Sequence, residues 1–401
     1  MNNKIKAAVA GAVLASASVA NAGITWDAGE WTVDMNGNVN AFAVFTDSSD
    51  NNTVTGGLAT TNGGNDKDSV GINTGLLPSW LGFTATTRQN DIDTSVTISF
   101  QPGAGNTAAL QGGNSNNAAT ENRQAFLTFG DASWGSVKVG KDLGIFGSTA
   151  ILNDMTLLGV GSGSATAGNT TTLGRIGTGY LYADWIGQIA YTTPNMNGFQ
   201  ATAGITQPWN AQGGLSGTSS GSTDEFGYQG QASFSWTGDF AGKVWGGFFS
   251  QEVTNIDDGN NGTTSDRANA FEAGISTSIM NINLVAYAYS AEGVGTTGML
   301  VRGFDSNGSA RDSDGGYVQA TYVIPTGTKL GVSYGESHLD SNAGDQNTAL
   351  VKENNMLTIG AYHPLTKHLN LVAEFSTVES EAQNGNENED DRFSVGAILF
   401  F

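Results

Sequence analysis

The residues that could do chemistry in this sequence are a few nucleophiles and ligands and a larger set of fixed charges. Gly217-Thr218-Ser219-Ser220-Gly221 has the spacing of a nucleophile elbow, a motif that needs a strand-to-helix turn to expose its serine. Here it lies in a Ser/Gly-rich stretch without that context. The three histidines, His338, His363 and His368, fall at the ends of candidate strands, and two of them flank one short turn. No third ligand stands at metal-binding spacing from them. Cysteine is absent. The acids at Asp47, Asp50, Asp66 and Asp68, at Asp257 and Asp258, at Asp305, Asp312 and Asp314, and at Glu387, Glu389, Asp390 and Asp391 lack the ordered spacing of a calcium loop. The sequence therefore predicts no catalytic constellation, no cofactor and no metal site. What remains is fixed charge, which acts on a passing ion by about 1 kcal/mol at a few ångströms in water and by more where the effective dielectric falls.

Such charges matter only where the chain holds them, and the chain is organised in short alternating segments. Trp31, Val33, Met35, Val39, Ala41, Ala43 and Phe45 share one face, and Thr32, Asp34, Asn36, Asn38 and Asn40 the other, a period of two. Similar segments recur near 31–46, 80–89, 92–101, 122–130, 135–142, 185–193, 198–207, 227–237, 241–252, 267–279, 282–291, 315–324, 328–338, 355–363, 368–379 and 391–401, sixteen in all. Short turns and long polar segments separate them alternately. An even number of such strands, with short turns on one side and long loops on the other, is the pattern of a bacterial outer-membrane barrel. The fold class expected is all-β, a transmembrane antiparallel β-barrel of sixteen strands.

Composition agrees. Fifty-seven glycines and a shortage of strong helix formers disfavour helices, and no later stretch is apolar for the roughly 20 residues a spanning helix needs. Residues 1–22 read as a secretory signal peptide, with Lys4 and Lys6 before an apolar run and Ala20-Asn21-Ala22 after it. Residues 23–401 then form one barrel domain. Without those two lysines, 14 basic residues face 37 acidic ones, a balance of about −23, which excludes nucleic acid as a partner because phosphates demand basic patches. Trp31, Trp134, Trp185 and Trp236 fall at or beside strand ends, where aromatic girdles meet headgroups. The last strand puts Phe393, Val395, Ala397, Leu399 and Phe401 on one face. It is expected to close the barrel against the strand beginning at Trp31, with Phe393, Leu399 and Phe401 as the closure and assembly signal.

Strand parity turns Asp34, Asp93, Glu272 and Glu374 towards the lumen as an acidic wall, with Lys138 and Arg88 on the same side. Lys141 and Arg123 share parity with lipid-facing neighbours but sit at outer strand ends, where a bulge could turn them inward. The acid excess predicts a cation preference. Between the strands ending near 142 and starting near 185 lie about forty residues without a regular pattern, and a segment of that length is usually functional.

NRQAFLTFGDASWGSVKVGKDLG, the YTTPNMNGF turn, HPLTKHLNLVAEFS and the terminal Phe401 resemble the sixteen-stranded trimeric general diffusion porins of Gram-negative outer membranes. The resemblance implies a homotrimer set in outer-membrane lipid and lipopolysaccharide, passing ions and small hydrophilic solutes, with the third long loop, about 143–184, folded into the pore. It makes Asp154 the acidic residue of the constriction, places Lys141 where the family usually has a wall arginine, and matches Arg175 to a family arginine. Trp80 and Ala183 stand where basic residues are expected, so a weakly polarised constriction is implied, with Asp154 facing Lys138, Lys141 or Arg88. A substrate-specific porin of the same architecture is the alternative.

Overall fold

A computed structural model describes residues 23–401 except 62, 64–67, 105–119, 165–170, 212–222, 258–261 and 346–347. The expected signal peptide, residues 1–22, lies outside the described residues, as does the elbow-like stretch 217–221.

Sixteen long strands, from Trp31–Ser48 to Glu387–Phe400, each pair antiparallel with their chain neighbours. The last closes on the first, from Asn38 opposite Phe400 to Ser48 opposite Asp390. Closure pairs the terminal strands with each other, as a barrel in lipid requires. The short turns use left-handed residues, Asn90 and Asp91 in one and Met280 in another, as tight hairpins demand.

The pleat sorts side chains by solvent. Val39, Phe45, Ile98, Leu127, Ile189, Phe271, Val318, Ile359 and Phe393 lie exposed on the outer surface, whereas the alternating positions Asn38, Asn40, Ser95, Ser99, Gln188, Gln229 and Ser376 are buried towards the lumen. Trp31 and Trp134 are exposed near the short-turn rim.

Three features were not legible in the sequence. A short strand, Ile24–Ala28, pairs with Trp31–Met35 and takes the edge of the first long strand that the C-terminal strand does not reach. The two meet at Gly37, whose N–H donates to the Phe401 carbonyl at 2.9 Å while the Phe401 N–H donates to the Gly37 carbonyl at 3.0 Å. A side chain at Gly37 would strike the Trp80 carbonyl and the Phe401 ring. Secondly, Asp68–Asn73 pairs with the outer half of Trp31–Ser48, above the point where Trp80–Gln89 takes over. Thirdly, several strands extend past their apolar stretch on the long-loop side, Phe240–Asp257, Thr263–Ile279, Val351–Pro364 and Leu369–Ala382 among them. Those extensions are largely polar, with Val253, Ile256 and Val351 buried, so alternation in hydrophobicity did not mark them.

Candidate channel constriction and inner chamber

The described residues of the segment between Gly135–Leu143 and Trp185–Thr192 form short regular elements. Its base is closed by the Gly144 N–H on the Asp184 carbonyl at 2.8 Å. A helical turn, Ser148–Asn153, leads to Asp154, then a 3₁₀ turn, Met155–Leu158, then a hairpin of Ser162–Ser164 with Thr172–Gly174. None of these is long enough to leave a periodic signature in sequence. Asp154 is the hinge between the two turns. Its Oδ1 accepts from the Thr156 N–H at 2.9 Å, and its Oδ2 accepts from the Thr156 hydroxyl at 2.5 Å and from the Tyr180 hydroxyl at 2.9 Å. It caps the 3₁₀ turn as an Asp caps a helix. Burial, with the Asp154 charge beside it, pushes the Tyr180 hydroxyl well above its ordinary range and keeps it a donor.

Inward-facing side chains of the wall hold this segment by its backbone. Gln229 Oε1 accepts from the N–H groups of Ile145 and Phe146 at 2.8 and 2.9 Å. Glu272 Oε2 accepts from the Gly147 N–H at 3.1 Å and from the Tyr287 hydroxyl at 2.9 Å. Gln319 Oε1 accepts from the Met155 N–H at 2.7 Å, and its Nε2 donates to the Asn153 carbonyl at 3.0 Å. Glu374 Oε2 accepts from Val160 and Gly161 at 2.7 and 3.0 Å, while Oε1 accepts from the Tyr362 hydroxyl at 2.6 Å. A side chain at Gly159 would collide with that carboxylate. Each glutamate joins the backbone of the segment to a wall tyrosine, so the two act as tethers.

The same segment buries apolar surface inside the barrel. Phe146, Ile151, Met155, Leu157, Val160 and Leu181 join inward-facing Trp245, Phe249, Tyr287 and Tyr317 in one cluster. Leu76 and Leu77 enter it from the first long loop, and Val294, Met299, Leu300 and Phe304 from the loop before Asp312. The inward face is thus not uniformly polar: on Phe240–Asp257 the lumen side carries Trp245, Phe249 and Val253, while Val244 and Phe248 face lipid.

Below the segment lies a chamber of roughly 840 Å³ on the short-turn side. Lys138, Lys243 and Lys329 line it with Asp142 and Asp154. Lys138 is ion-paired to buried Asp142 and lies 5.0 Å from the Phe126 ring centroid. Asp142 also accepts from Gln124 Nε2 at 3.1 Å. Lys329 Nζ stands 4.6 Å from the Tyr362 ring, a cation–π contact. Neither Lys243 nor Lys329 makes an ion pair among the described residues.

The structure brings Asp154 and Lys138 to one chamber and puts the other expected partners elsewhere. Lys141 is exposed on the outer face, because the pleat that turns Lys138 inward turns Lys141 out. Arg88 sits at the short-turn rim, bonded to Asp93 at 2.7 Å and Asp131 at 2.9 Å, so it does not face Asp154. Arg123 is buried at the outer strand end, opposite the Ser99/Gln101 bulge, with Glu121 at 2.6 Å and Trp185 beneath its guanidinium at 6.0 Å. Arg175 is wholly buried inside the segment and donates to the carbonyls of Met356 at 2.8 Å and Ser333 at 3.1 Å, so it is a strut and lines no passage. Of the acidic wall, Glu272 and Glu374 face inward as expected but are covered by the backbone they tether, Asp93 is paired to Arg88, and Asp34 is half-buried beside Gly23 and Asn36. Phe393 stacks on Phe45 across the closure at 6.2 Å, and Leu399 faces outward. Lys243, Lys329 and the tethering glutamines were missed. Their inward parity was the available signal, and it does not say which inward residues stay open.

A closed sixteen-strand barrel with an apolar exterior, an inner chamber and a loop tethered within it defines a transmembrane channel protein. The chain belongs to the Gram-negative porin family, whose sequence model matches residues 7–383, and it is located in the outer membrane. No curated protein sequence matches it. Among solved structures it is similar to the outer-membrane channel DcaP of Acinetobacter baumannii, at 16% identity and a TM-score of 0.70, covering 95% of this chain and 100% of that one. It is also similar to the anion-selective porin of Comamonas acidovorans (13%, 0.63, 93% and 100%) and to OmpF of Salmonella typhi (16%, 0.61, 94% and 100%). At these identities the likeness concerns the fold.

Proposed function

We propose that this porin passes small hydrophilic solutes by passive diffusion, with the tethered third loop as its narrowest point and the inner chamber favouring solutes that carry an anionic group. The observation that carries the reading is the state of the chamber's charges. Its carboxylates, Asp142 and Asp154, are already bonded, whereas Lys243 and Lys329 line it without an ion pair among the described residues. Each such ammonium contributes about 1 kcal/mol to a passing anion in water and more beside a low-dielectric wall. This supports the substrate-selective alternative of the sequence reading. A cation preference of the whole channel is the second reading, favoured by 37 acidic against 16 basic residues. Reversal potential in a salt gradient across planar bilayers, with single-channel block by a small carboxylate, decides between them. Block that disappears in Lys243→Gln/Lys329→Gln supports the first. A cation-selective potential with no block in the wild type supports the second. A homotrimer, in contact with lipopolysaccharide on its outer face, completes the proposal; a trimer form is described for OmpT of Vibrio cholerae, whose fold this chain shares at a TM-score of 0.53.

A further inference from the structure

On the outer wall, the strand Lys329–Leu339 changes character at one height. Leu330, Val332 and Tyr334 are exposed apolar residues of the lipid band, and the next outward positions are Glu336 and His338. The neighbouring strand Val351–Pro364 repeats the change, from Ile359 and Leu357 to Asn355 and Glu353. The register places His338 directly opposite Glu353. One nitrogen of His338 and one carboxylate oxygen each from Glu336 and Glu353 lie within 4.8 Å of one another, all partly buried. The two ring nitrogens are differently engaged. Nε2 lies 3.5 Å from Glu353 Oε2, and Nδ1 lies 3.3 Å from Asp314 Oδ1 on the adjoining strand. The Tyr334 hydroxyl donates to Glu336 Oε2 at 2.8 Å, and Asn355 Nδ2 to Glu353 Oε1 at 3.1 Å.

We propose that His338, Glu336 and Glu353 bind a divalent transition-metal ion of the zinc class on the outward wall, just above the lipid band, with a fourth position open to water. Two glutamates beside a ring nitrogen are a donor set that zinc, copper or nickel accepts and that calcium, which prefers oxygen alone, does not favour. Ligand atoms sharing a tetrahedral zinc stand about 3.4 Å apart, and two partly exposed glutamates reach that by rotation alone. Asp314 is a positioning residue: it holds Nδ1–H and so presents Nε2 as the ligand, the carboxylate–histidine–metal arrangement found behind most metal-binding imidazoles. The strands are fixed by the barrel on both sides, so the site is preformed. The spacing in sequence concealed it, because Glu353 joins the other two only through strand register.

The test uses the folded full-length barrel in detergent and titrates Zn²⁺ by calorimetry. One site per chain is expected. His338→Ala and Glu353→Gln should abolish it, and Asp314→Asn should weaken it roughly ten- to hundredfold, with heat-modifiable gel migration unchanged in all three. Zinc binding that is unaltered by His338→Ala and Glu353→Gln, or calcium bound as tightly as zinc, overturns the proposal. A second measurement leaves the site itself intact. With His363 and His368 both changed to Asn, His338 is the sole histidine, and Cu²⁺ spin resonance should show one nitrogen ligand. A spectrum without nitrogen coupling overturns it.

Discussion

The outer and inner parts of the lumen are enclosed by the same strands, yet they are different environments. On the long-loop side the inward faces meet folded-in loops, and Trp245, Phe249, Tyr287 and Tyr317 pack against Phe146, Ile151, Leu300 and Phe304. On the short-turn side the inward faces meet an open chamber, whose wall carries Gln188, Gln200, Gln231, Thr202, Lys243 and Lys329 beneath Leu152, Met155 and Leu158 of the folded-in segment. The charges follow. Where backbone is folded in, carboxylates are consumed as acceptors for it: Glu272 for Gly147, Glu374 for Val160 and Gly161. Where it is not, Lys243 and Lys329 stand without an ion pair among the described residues. Glu272 and Glu374 are therefore fasteners for the loop, and the basic groups of the chamber are the charges proposed above to meet a solute.

The largest effect should come from cutting a fastener. Glu374→Ala leaves two amides and a tyrosine hydroxyl without their acceptor. At roughly 1–3 kcal/mol for each buried donor left unsatisfied, docking of the loop should weaken by at least about 3 kcal/mol. Noisy single-channel currents and new protease cleavage near 159–163 would report it, and quiet, protected channels would remove the distinction between fasteners and open charges. Reversing the open charges comes next: Lys243→Glu with Lys329→Glu should move the cation-to-anion permeability ratio roughly fivefold or more, at about 1 kcal/mol per charge. Asp154→Asn should cost about 1 kcal/mol as a lost cap, seen as a lower heat-modification temperature, with little change in reversal potential. A large selectivity change there would mean that Asp154 also acts on solutes. Lys141→Gln, on the outer face, should alter neither conductance nor selectivity measurably.

Acid should separate the two parts as well. Arg311, in the loop before Asp312, donates through Nε to Asp345 Oδ2 at 2.9 Å and through Nη2 to Oδ1. Burial works to raise the Asp345 carboxyl. The hydrogen bonds from Arg311 and the Asn342 N–H and the guanidinium charge outweigh it and hold the group below its ordinary 3.8. A carboxyl lowered in the folded state stabilises above its unfolded value and loses that contribution as pH falls through the folded one. This latch should therefore hold at pH 5 and release below pH 3.8. Hydrogen-exchange protection of residues 303–311 should fall over that interval, while the strands around the inner chamber keep theirs.

Much of the architecture could be read without coordinates, since period-two alternation is a direct record of which solvent each face meets. The order of sixteen strands, the short and long connections, the closure by the C-terminal strand and the inward parity of Lys138, Glu272 and Glu374 all follow from it. Parity is blind to distance along the barrel axis and to what stands opposite. It could not tell Arg88, paired at the rim, from Lys243, open in the chamber. Nor could it show that Glu272 and Glu374 are covered, or that Glu336, His338 and Glu353 converge. Those facts depend on register across strands and on the course of the third loop, both set by packing between residues far apart in the chain. Alternation determined the barrel; only the tertiary structure decided which of its charges are left free to act.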